Sequence, residues 1–93
     1  MSIRKIQIRD DNKRKLVIEA VNTLKWYDGC YKGGDWDLMR ALDQAYGKMQ
    51  GIERTGLLFG IDIYDYITEI WEEWRCYMMW NKDFEYPEIT EII

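Results

Sequence analysis

The sequence predicts a mainly α-helical fold, a compact three-helix domain with a short β-strand near its N-terminus. Three segments carry apolar residues at intervals of three and four, which is the spacing of one buried helix face. The first residues instead alternate between apolar and polar. With 93 residues, 47% of them hydrophobic and 15% aromatic, the chain has the apolar mass for one core, so we expect a single domain spanning residues 1–93.

The predicted strand comprises residues 2–9, where Ile6 and Ile8 share one side. A single strand needs a partner, and two are open. The tail at residues 88–93 would place acidic residues opposite the basic residues of the strand, although the spacing of its isoleucines also fits a helix. The other option is pairing across a homodimer.

The first helix is expected to begin at Asp10 or Asp11 and to run to about Tyr27, with Gly29 at the position of a C-terminal cap. A β-hairpin turning at residues 10–13 competes with this prediction, but the helical spacing continues further than the alternating one. We expect the buried face of this helix to comprise Val17, Ala20, Val21, Leu24 and Tyr27.

The second helix is expected to begin after Asp35, a favourable N-cap, and to end at Gly51. An uninterrupted apolar stripe runs along it and predicts a buried face. The stripe consists of Leu38, Met39, Leu42, Ala45, Tyr46 and Met49.

The third helix is predicted from Ile63 to about Trp80. Its beginning is ambiguous, because Thr55 can cap an earlier start while residues 57–63 also fit a strand. Gly60 disfavours the earlier start, since glycine in a helix costs about 1 kcal/mol relative to alanine. The expected buried face comprises Ile63, Ile67, Ile70, Trp74 and Tyr77.

Charge is distributed unevenly along the chain. Residues 1–34 hold eight Lys/Arg and four Asp/Glu, whereas residues 35–93 hold five and thirteen. The net charge of -4 and the pI near 4.8 argue against direct binding to nucleic acid. No apolar run reaches the roughly 18 residues of a membrane span, and no signal peptide is evident, so we expect a cytoplasmic protein, in the host cytoplasm if viral, without a membrane partner.

Side chains for catalysis are scarce. The chain has no histidine and its only serine is Ser2, so a nucleophile has no imidazole base. Cys30 and Cys76 lack the paired spacing of a zinc site, and a reducing cytosol favours two free thiols over a disulfide. A phosphate-binding loop ending in Gly-Lys-Ser/Thr is also absent from the sequence. We therefore expect a protein that is not an enzyme and binds no cofactor or metal.

The strongest functional signal is the lack of positive charge between Arg54 and Arg75. Five carboxylates in this interval, which we call the acidic face, fit an arc of roughly 100° on the third helix, apart from its apolar side. Four like-charge neighbours at helical spacing destabilise the helix by about 1 to 2 kcal/mol in total. With Trp80, which falls in the same arc, the predicted partner-binding residues are Asp62, Asp65, Glu69, Glu72, Glu73 and Trp80.

Three interpretations of the acidic face are open. It can be a solvated surface, or basic residues of the N-terminal segment can neutralise it: Arg4, Lys5, Arg9, Lys13, Arg14 and Lys15. It can also bind a basic surface of another protein. Its charges lie about 3 to 4 Å apart along the helix, close to the roughly 3.4 Å of single-stranded nucleic acid. In composition the chain resembles accessory inhibitors of phages and mobile elements, so we expect a non-enzymatic inhibitor of a basic, nucleic-acid-handling protein.

Metal-dependent hydrolysis is a further alternative. Asp65, Glu69 and Glu72 are neighbours at helical spacing, and their oxygens could converge on Mg²⁺. In this respect the chain resembles the all-helical nucleotide pyrophosphohydrolases, which use pairs of acidic helices. The resemblance implies nucleotide hydrolysis, but a second acidic helix is not evident, because Arg40 interrupts the acidic positions of the second helix.

The glycine-rich segment at residues 26–36 is the second informative feature, since four of its eleven residues are Trp or Tyr. These rings can close one end of the helical bundle. Alternatively, they can stack a nucleotide or other small ligand in a homo-oligomer while a lysine meets its phosphate. The ligand-binding residues of this alternative are Lys25, Trp26, Tyr27, Tyr31, Lys32 and Trp36.

Overall fold

The structure, a computed structural model, describes residues 4–91. Three helices and a two-stranded sheet make up its fold. The prediction of a mainly α-helical fold with a short N-terminal strand is confirmed. In chain order the elements are β1 (Lys5–Gln7), α1 (Asp11–Lys32), α2 (Leu38–Leu58), α3 (Tyr64–Trp80) and β2 (Glu88–Thr90).

The two strands pair in parallel, with Lys5 of β1 beside Glu88 of β2. The C-terminal segment is therefore the partner of the predicted strand within one chain, and a basic position lies beside an acidic one as expected. Residues 2–3 of the predicted strand and residues 92–93 of the tail lie outside the described residues.

Helix α1 begins after Asp10, whose side chain accepts a hydrogen bond from Lys13 N at 2.9 Å. The alternative hairpin is wrong. The predicted end near Tyr27, with Gly29 as the C-terminal cap, is also wrong, because the helix continues to Lys32 and Gly33 is its C-cap. Lys32 Nζ lies 3.2 Å from Asp28 Oδ1 one turn earlier, and this ion pair supports the additional turn.

Helix α2 begins two residues later than predicted and ends seven residues later. Asp37 is its cap, rather than Asp35, and accepts a hydrogen bond from a backbone N–H of the first turn at 2.8 Å. The helix passes Gly51 and ends at Leu58. Burial of Ile52 in the next position favours this continuation and offsets the unfavourable helix propensity of glycine.

A tight turn joins α2 to α3, and residues 57–63 do not form the alternative strand. A Cβ on Gly56 would lie 2.8 Å from the carbonyl oxygen of Ile61, so only glycine permits this close approach. Gly60 has φ 74°, a left-handed conformation that glycine adopts without steric cost. Helix α3 begins one residue after the predicted start and is followed by Asn81 at φ 54°, a left-handed C-cap.

The core lies between the three helices. The predicted buried face of α1 is confirmed in full, and that of α3 is confirmed with Tyr77 half-buried. The prediction for α2 is wrong at Met39 and Tyr46, which are 62% and 47% exposed. The apolar stripe of α2 is wider than the surface that α1 and α3 cover, so part of it is left to solvent.

Candidate functional site

The acidic face is exposed along α3, and one basic side chain of the N-terminal segment spans it. Arg4 Nη2 lies 2.6 Å from Glu69 Oε1, and Arg4 Nη1 donates to Glu73. Among residues 4–91, Arg4 is the one member of the six basic candidates that pairs with this face. Arg14 and Lys15 pair with Asp11 instead. The proposed internal neutralisation is therefore partial.

The other carboxylates of the acidic face have different surroundings. Arg75 Nη2 lies 2.5 Å from Glu72 Oε1 and holds the pKa of Glu72 below its ordinary value. Asp62 Oδ1 accepts a hydrogen bond from Tyr64 N at 3.0 Å and forms an Asx turn that leads into α3, whose N-cap position Ile63 has no side-chain cap. Within the described residues, Asp65 has no ion pair, so it remains available to a partner.

The acidic face continues into an open cavity of about 380 Å³, which we call the acidic cleft. It forms where the chain after α3 folds back beside the end of that helix. Asp83 and Glu85 contribute two carboxylates that the sequence did not assign to the site, although their position directly after an acidic helix was a usable signal. The cleft is lined by Arg4, Glu72, Glu73, Cys76, Lys82, Asp83, Phe84 and Glu85.

Trp80 lies at the same end of α3 and is 64% exposed. It follows Glu73 by seven residues, so helical geometry places both on one side of α3. The predicted partner-binding residues are thus all on the surface, and Trp80 provides a large apolar group at the end of the acidic face.

The acidic face and the acidic cleft together have a clear excess of negative charge. They contain seven carboxylates and three cations, Arg4, Arg75 and Lys82, an excess of four negative charges. A concentration of one sign on one surface creates a potential that attracts and orients basic partners. This potential persists after the internal ion pairs are counted.

Three of the four aromatic residues of the segment 26–36 cluster together, whereas Tyr31 is 37% exposed and does not line their cavity. Trp26 and Trp36 meet edge to face at 5.8 Å, and both contact the buried Tyr27. These three rings line an open cavity of about 710 Å³ between α1 and α2, together with Lys15 and Lys48. The lysines at this cavity are therefore not the ones that the sequence indicated.

Lys25 and Lys32 lie elsewhere, against the C-terminal segment and α3. Lys25 Nζ is 5.6 Å from the ring centre of Tyr86, and Lys32 Nζ contacts Asp28 and the hydroxyl of Tyr77. The structure thus brings Trp26, Tyr27 and Trp36 together but separates both predicted lysines from them.

A buried polar network surrounds Asp28, which is 7% exposed. Asp28 Oδ2 accepts hydrogen bonds from the hydroxyls of Tyr86 at 2.7 Å and Tyr77 at 3.0 Å. Oδ1 receives no well-directed hydrogen bond and lies 3.2 Å from Lys32 Nζ. Trp74 Nε1 donates to the Tyr86 hydroxyl at 3.1 Å. The network connects α1, α3 and the segment before β2.

The protonation of this network follows from its contacts. Burial, reinforced by the hydrogen bond to Asp28, raises the pKa of Tyr86 far above its ordinary value of 10.0. The hydrogen bond with the Tyr77 hydroxyl, and then the contact with Asp28, raise the pKa of Lys32. Tyr86 therefore stays a neutral donor at physiological pH, which is the role of a structural group holding a buried carboxylate.

Within residues 4–91, no cluster of three or more acidic or cysteine side chains is arranged to hold a metal ion. Of the three carboxylates considered for Mg²⁺, Glu69 pairs with Arg4 and Glu72 with Arg75. The two cysteines are free. None of the described helices has the length and apolar character needed to cross a membrane.

Comparison of the chain with protein-family models, with curated proteins and with solved structures finds no match. The geometry of the surfaces described above is therefore the basis for a functional proposal.

Proposed function

We propose that the chain is a non-enzymatic protein-interaction module that binds a basic surface of another protein through its acidic face and acidic cleft. The observation that carries the proposal is the excess of four negative charges on one surface with the exposed Trp80 at its end. Charge complementarity steers such an encounter and orients the partners, and a buried tryptophan contributes affinity.

Arg4 supports the proposal because it is a basic side chain bound between two carboxylates one helical turn apart, Glu69 and Glu73. Asp65 and Glu69 repeat this spacing one turn earlier in α3. An arginine from a partner would meet the same pair of acceptors there, and Asp65 has no ion pair of its own among the described residues. Arginine binds two carboxylate groups well, because its planar guanidinium carries five donors.

The spacing of the carboxylates favours one class of partner. Along α3 they recur about every 3 to 4 Å, which approaches the charge spacing of a single nucleic-acid strand. A protein that binds nucleic acid in a basic groove would accept such a surface in its place. The chain would then act as a small inhibitor, of the kind that phages and mobile elements encode, that competes with nucleic acid for this groove.

The proposal is tested by capture of partners from a native lysate on three immobilised proteins. The test variant combines Asp65→Lys, Asp83→Lys and Glu85→Lys, which breaks no ion pair among residues 4–91. The control reverses three exposed carboxylates elsewhere and has the same net charge. It combines Glu19→Lys, Asp35→Lys and Glu91→Lys.

The wild type and the control should capture the same nucleic-acid-binding proteins, and the test variant should lose them. The proposal is wrong if all three proteins capture the same set, or if the control loses the set together with the test variant. Thermal unfolding of each protein establishes that all three are folded.

A second candidate function is binding of a nucleotide or a similar aromatic anion between α1 and α2. It is favoured by the cavity of about 710 Å³, where Trp26 is 59% exposed and Lys48 supplies positive charge. Lys15 also lines this cavity but pairs with Asp11, and Glu19 adds one negative charge. Nucleotides should quench tryptophan fluorescence in the wild type and in Trp80→Ala, but not in Trp26→Ala. No quenching by any of a panel of nucleotides would contradict this function.

A further inference from the structure

The α2–α3 hairpin has an apolar side that the rest of the described chain leaves uncovered, and we call it the outer face. The buried residues of α2 and α3 point toward the core and α1, whereas the outer face lies beyond the contact of the two helices. Six large apolar residues on it are exposed or half-buried: Met39, Tyr46, Leu57, Tyr64, Trp71 and Met79.

A groove runs along the centre of the outer face. Tyr46 and Trp71 meet across it with ring centroids 5.3 Å apart, and the cavity beside them measures about 320 Å³. Polar side chains are interspersed, including Gln50 and Thr68 at the middle of the hairpin. An aromatic centre with a mixed polar surrounding is the composition of a protein interface.

The size of the outer face suits a second copy of the chain. From Met39 to Leu57 the helix rises about 27 Å, and two adjacent helices are about 20 Å wide. The projected area is therefore about 500 Å², and side-chain relief increases the accessible area. Stable interfaces bury from about 600 to 1,000 Å² per partner, so this face, with its side-chain relief, matches the small end of dimer interfaces.

We propose that the outer face binds the outer face of a second copy around a two-fold axis that runs parallel to α2 and α3. Each α2 then packs against the partner's α3 in a four-helix arrangement. The groove is filled from both sides, so that both copies bury Tyr46 and Trp71. Glu72, which pairs with Arg75, borders this interface, whereas Asp65, Glu69 and Glu73 lie further round α3 and stay accessible. The inference and the proposed function are tested by different variants and different measurements, so either can fail without the other.

The charges on the outer face favour a two-fold axis parallel to the helices over one that crosses them. The contact of Tyr46 with Trp71 places these two residues at one height in the antiparallel hairpin. Asp43 lies about one turn from Tyr46, and Arg75 lies about one turn from Trp71. Because the helices are antiparallel, both charges lie toward the same end of the hairpin. With the parallel axis, Asp43 faces the partner's Arg75, a residue that also pairs with Glu72 of its own chain and can be shared between the two carboxylates. An axis across the helices would place α2 on the partner's α2 and Asp43 against the partner's Glu53, a repulsive pair.

The first test measures the dimer dissociation constant by sedimentation equilibrium. The wild type should dimerise, and Asp43→Arg or Arg75→Asp alone should weaken the dimer about tenfold. The double variant should recover most of the lost affinity, because the opposite charges are again paired. The control Asp65→Arg makes the same charge change as Asp43→Arg on the acidic face and should leave the dimer unchanged.

A wild type that stays monomeric at every concentration would overturn the proposal, whether or not another protein binds the outer face. A dimer that is insensitive to both single reversals would also overturn it, because it would use another surface.

The second test determines the axis by disulfide formation in a Cys30→Ser, Cys76→Ser background. One protein carries Gln50→Cys and the other carries Thr68→Cys, since these positions lie at similar heights on α2 and α3. An oxidised mixture of the two should form the mixed disulfide, whereas each protein alone should remain mostly uncrosslinked. With the parallel axis, the two copies of one cysteine lie diagonally across the four helices, which is too far apart for a disulfide. Equal crosslinking in the separate proteins would therefore contradict the parallel axis.

Discussion

Arg4 Nη2 lies 2.6 Å from Glu69 Oε1, so the residue before β1 occupies the middle of the acidic face. The same guanidinium donates to Glu73, and the side chains of the two acids remain 60% and 42% exposed. Arg4 therefore competes with any basic partner for these carboxylates without closing the surface. Its removal should increase the attraction of the surface for positive charge.

We predict that Arg4→Gln strengthens binding of an oligolysine peptide about two- to fivefold at low salt, because two carboxylates lose their internal cation. The matched control is Arg9→Gln, which makes the same charge change at an exposed residue outside the acidic face. Titration calorimetry at two salt concentrations measures the effect. The same gain in both variants would show that net charge alone is responsible.

The hydroxyl of Tyr86, which lies in the Asp28 network, should stabilise the folded protein. Tyr86→Phe should lower the free energy of unfolding by about 1 to 3 kcal/mol, because Trp74 Nε1 loses its acceptor and Asp28 loses one donor. Tyr31→Phe removes an exposed hydroxyl and should change stability by less than about 0.5 kcal/mol. Urea unfolding of both variants measures the difference, and equal values would contradict the structural role of the network.

The network also predicts a loss of stability in alkaline solution. The pKa of Tyr86 is raised in the folded protein above its ordinary 10.0, so above that pH the unfolded chain loses a proton that the folded chain retains. The stabilisation is complete below about pH 10 and is lost as the pH rises toward the folded value. Lys32, whose pKa is also raised, acts in the same direction.

Unfolding measured between pH 8 and pH 11 should therefore show decreasing stability, with a smaller slope in Tyr86→Phe than in the wild type. The slope that remains in the variant reports on Lys32 and the other alkaline groups. Identical slopes in the two proteins would contradict the assignment to Tyr86.

Alanine substitutions at two glycines of α2 should change the stability of the protein in opposite directions. A Cβ on the exposed Gly47 meets nothing within 4 Å, so Gly47→Ala should stabilise the protein by about 0.5 to 1 kcal/mol through helix propensity. A Cβ on Gly56 would lie 2.8 Å from the carbonyl oxygen of Ile61, so Gly56→Ala should destabilise it by about 1 to 3 kcal/mol. Thermal unfolding distinguishes the two, and shifts of the same sign would contradict the described turn.

The sequence predicts the fold well where apolar residues recur at helical spacing over several turns of one segment. The buried faces of α1 and α3 follow from apolar spacing, and the acidic face follows from the same helical geometry. Helix ends are less predictable, because glycine is a common terminator and yet α1 and α2 continue through Gly29 and Gly51. Tertiary contacts of the following turn outweigh the local preference in both cases.

The parts of the site that the sequence missed depend on contacts between distant segments. Asp28 is buried because Tyr77 and Tyr86 arrive from α3 and the C-terminal segment, which no local pattern reveals. The acidic cleft exists because Asp83 and Glu85 fold back beside α3. Tyr46 continues the apolar stripe of α2, so the sequence predicts that it is buried. It is exposed on the outer face because α1 packs against the other side of α2.

The most direct test of the proposed function is the affinity of a purified captured protein for the wild type, the acidic variant and its control, measured by titration calorimetry. Asp65→Lys, Asp83→Lys and Glu85→Lys together should weaken binding at least about tenfold. The control with Glu19→Lys, Asp35→Lys and Glu91→Lys should remain within about twofold of the wild type. Equal affinities of all three proteins, or equal losses in both variants, would contradict binding through the acidic face.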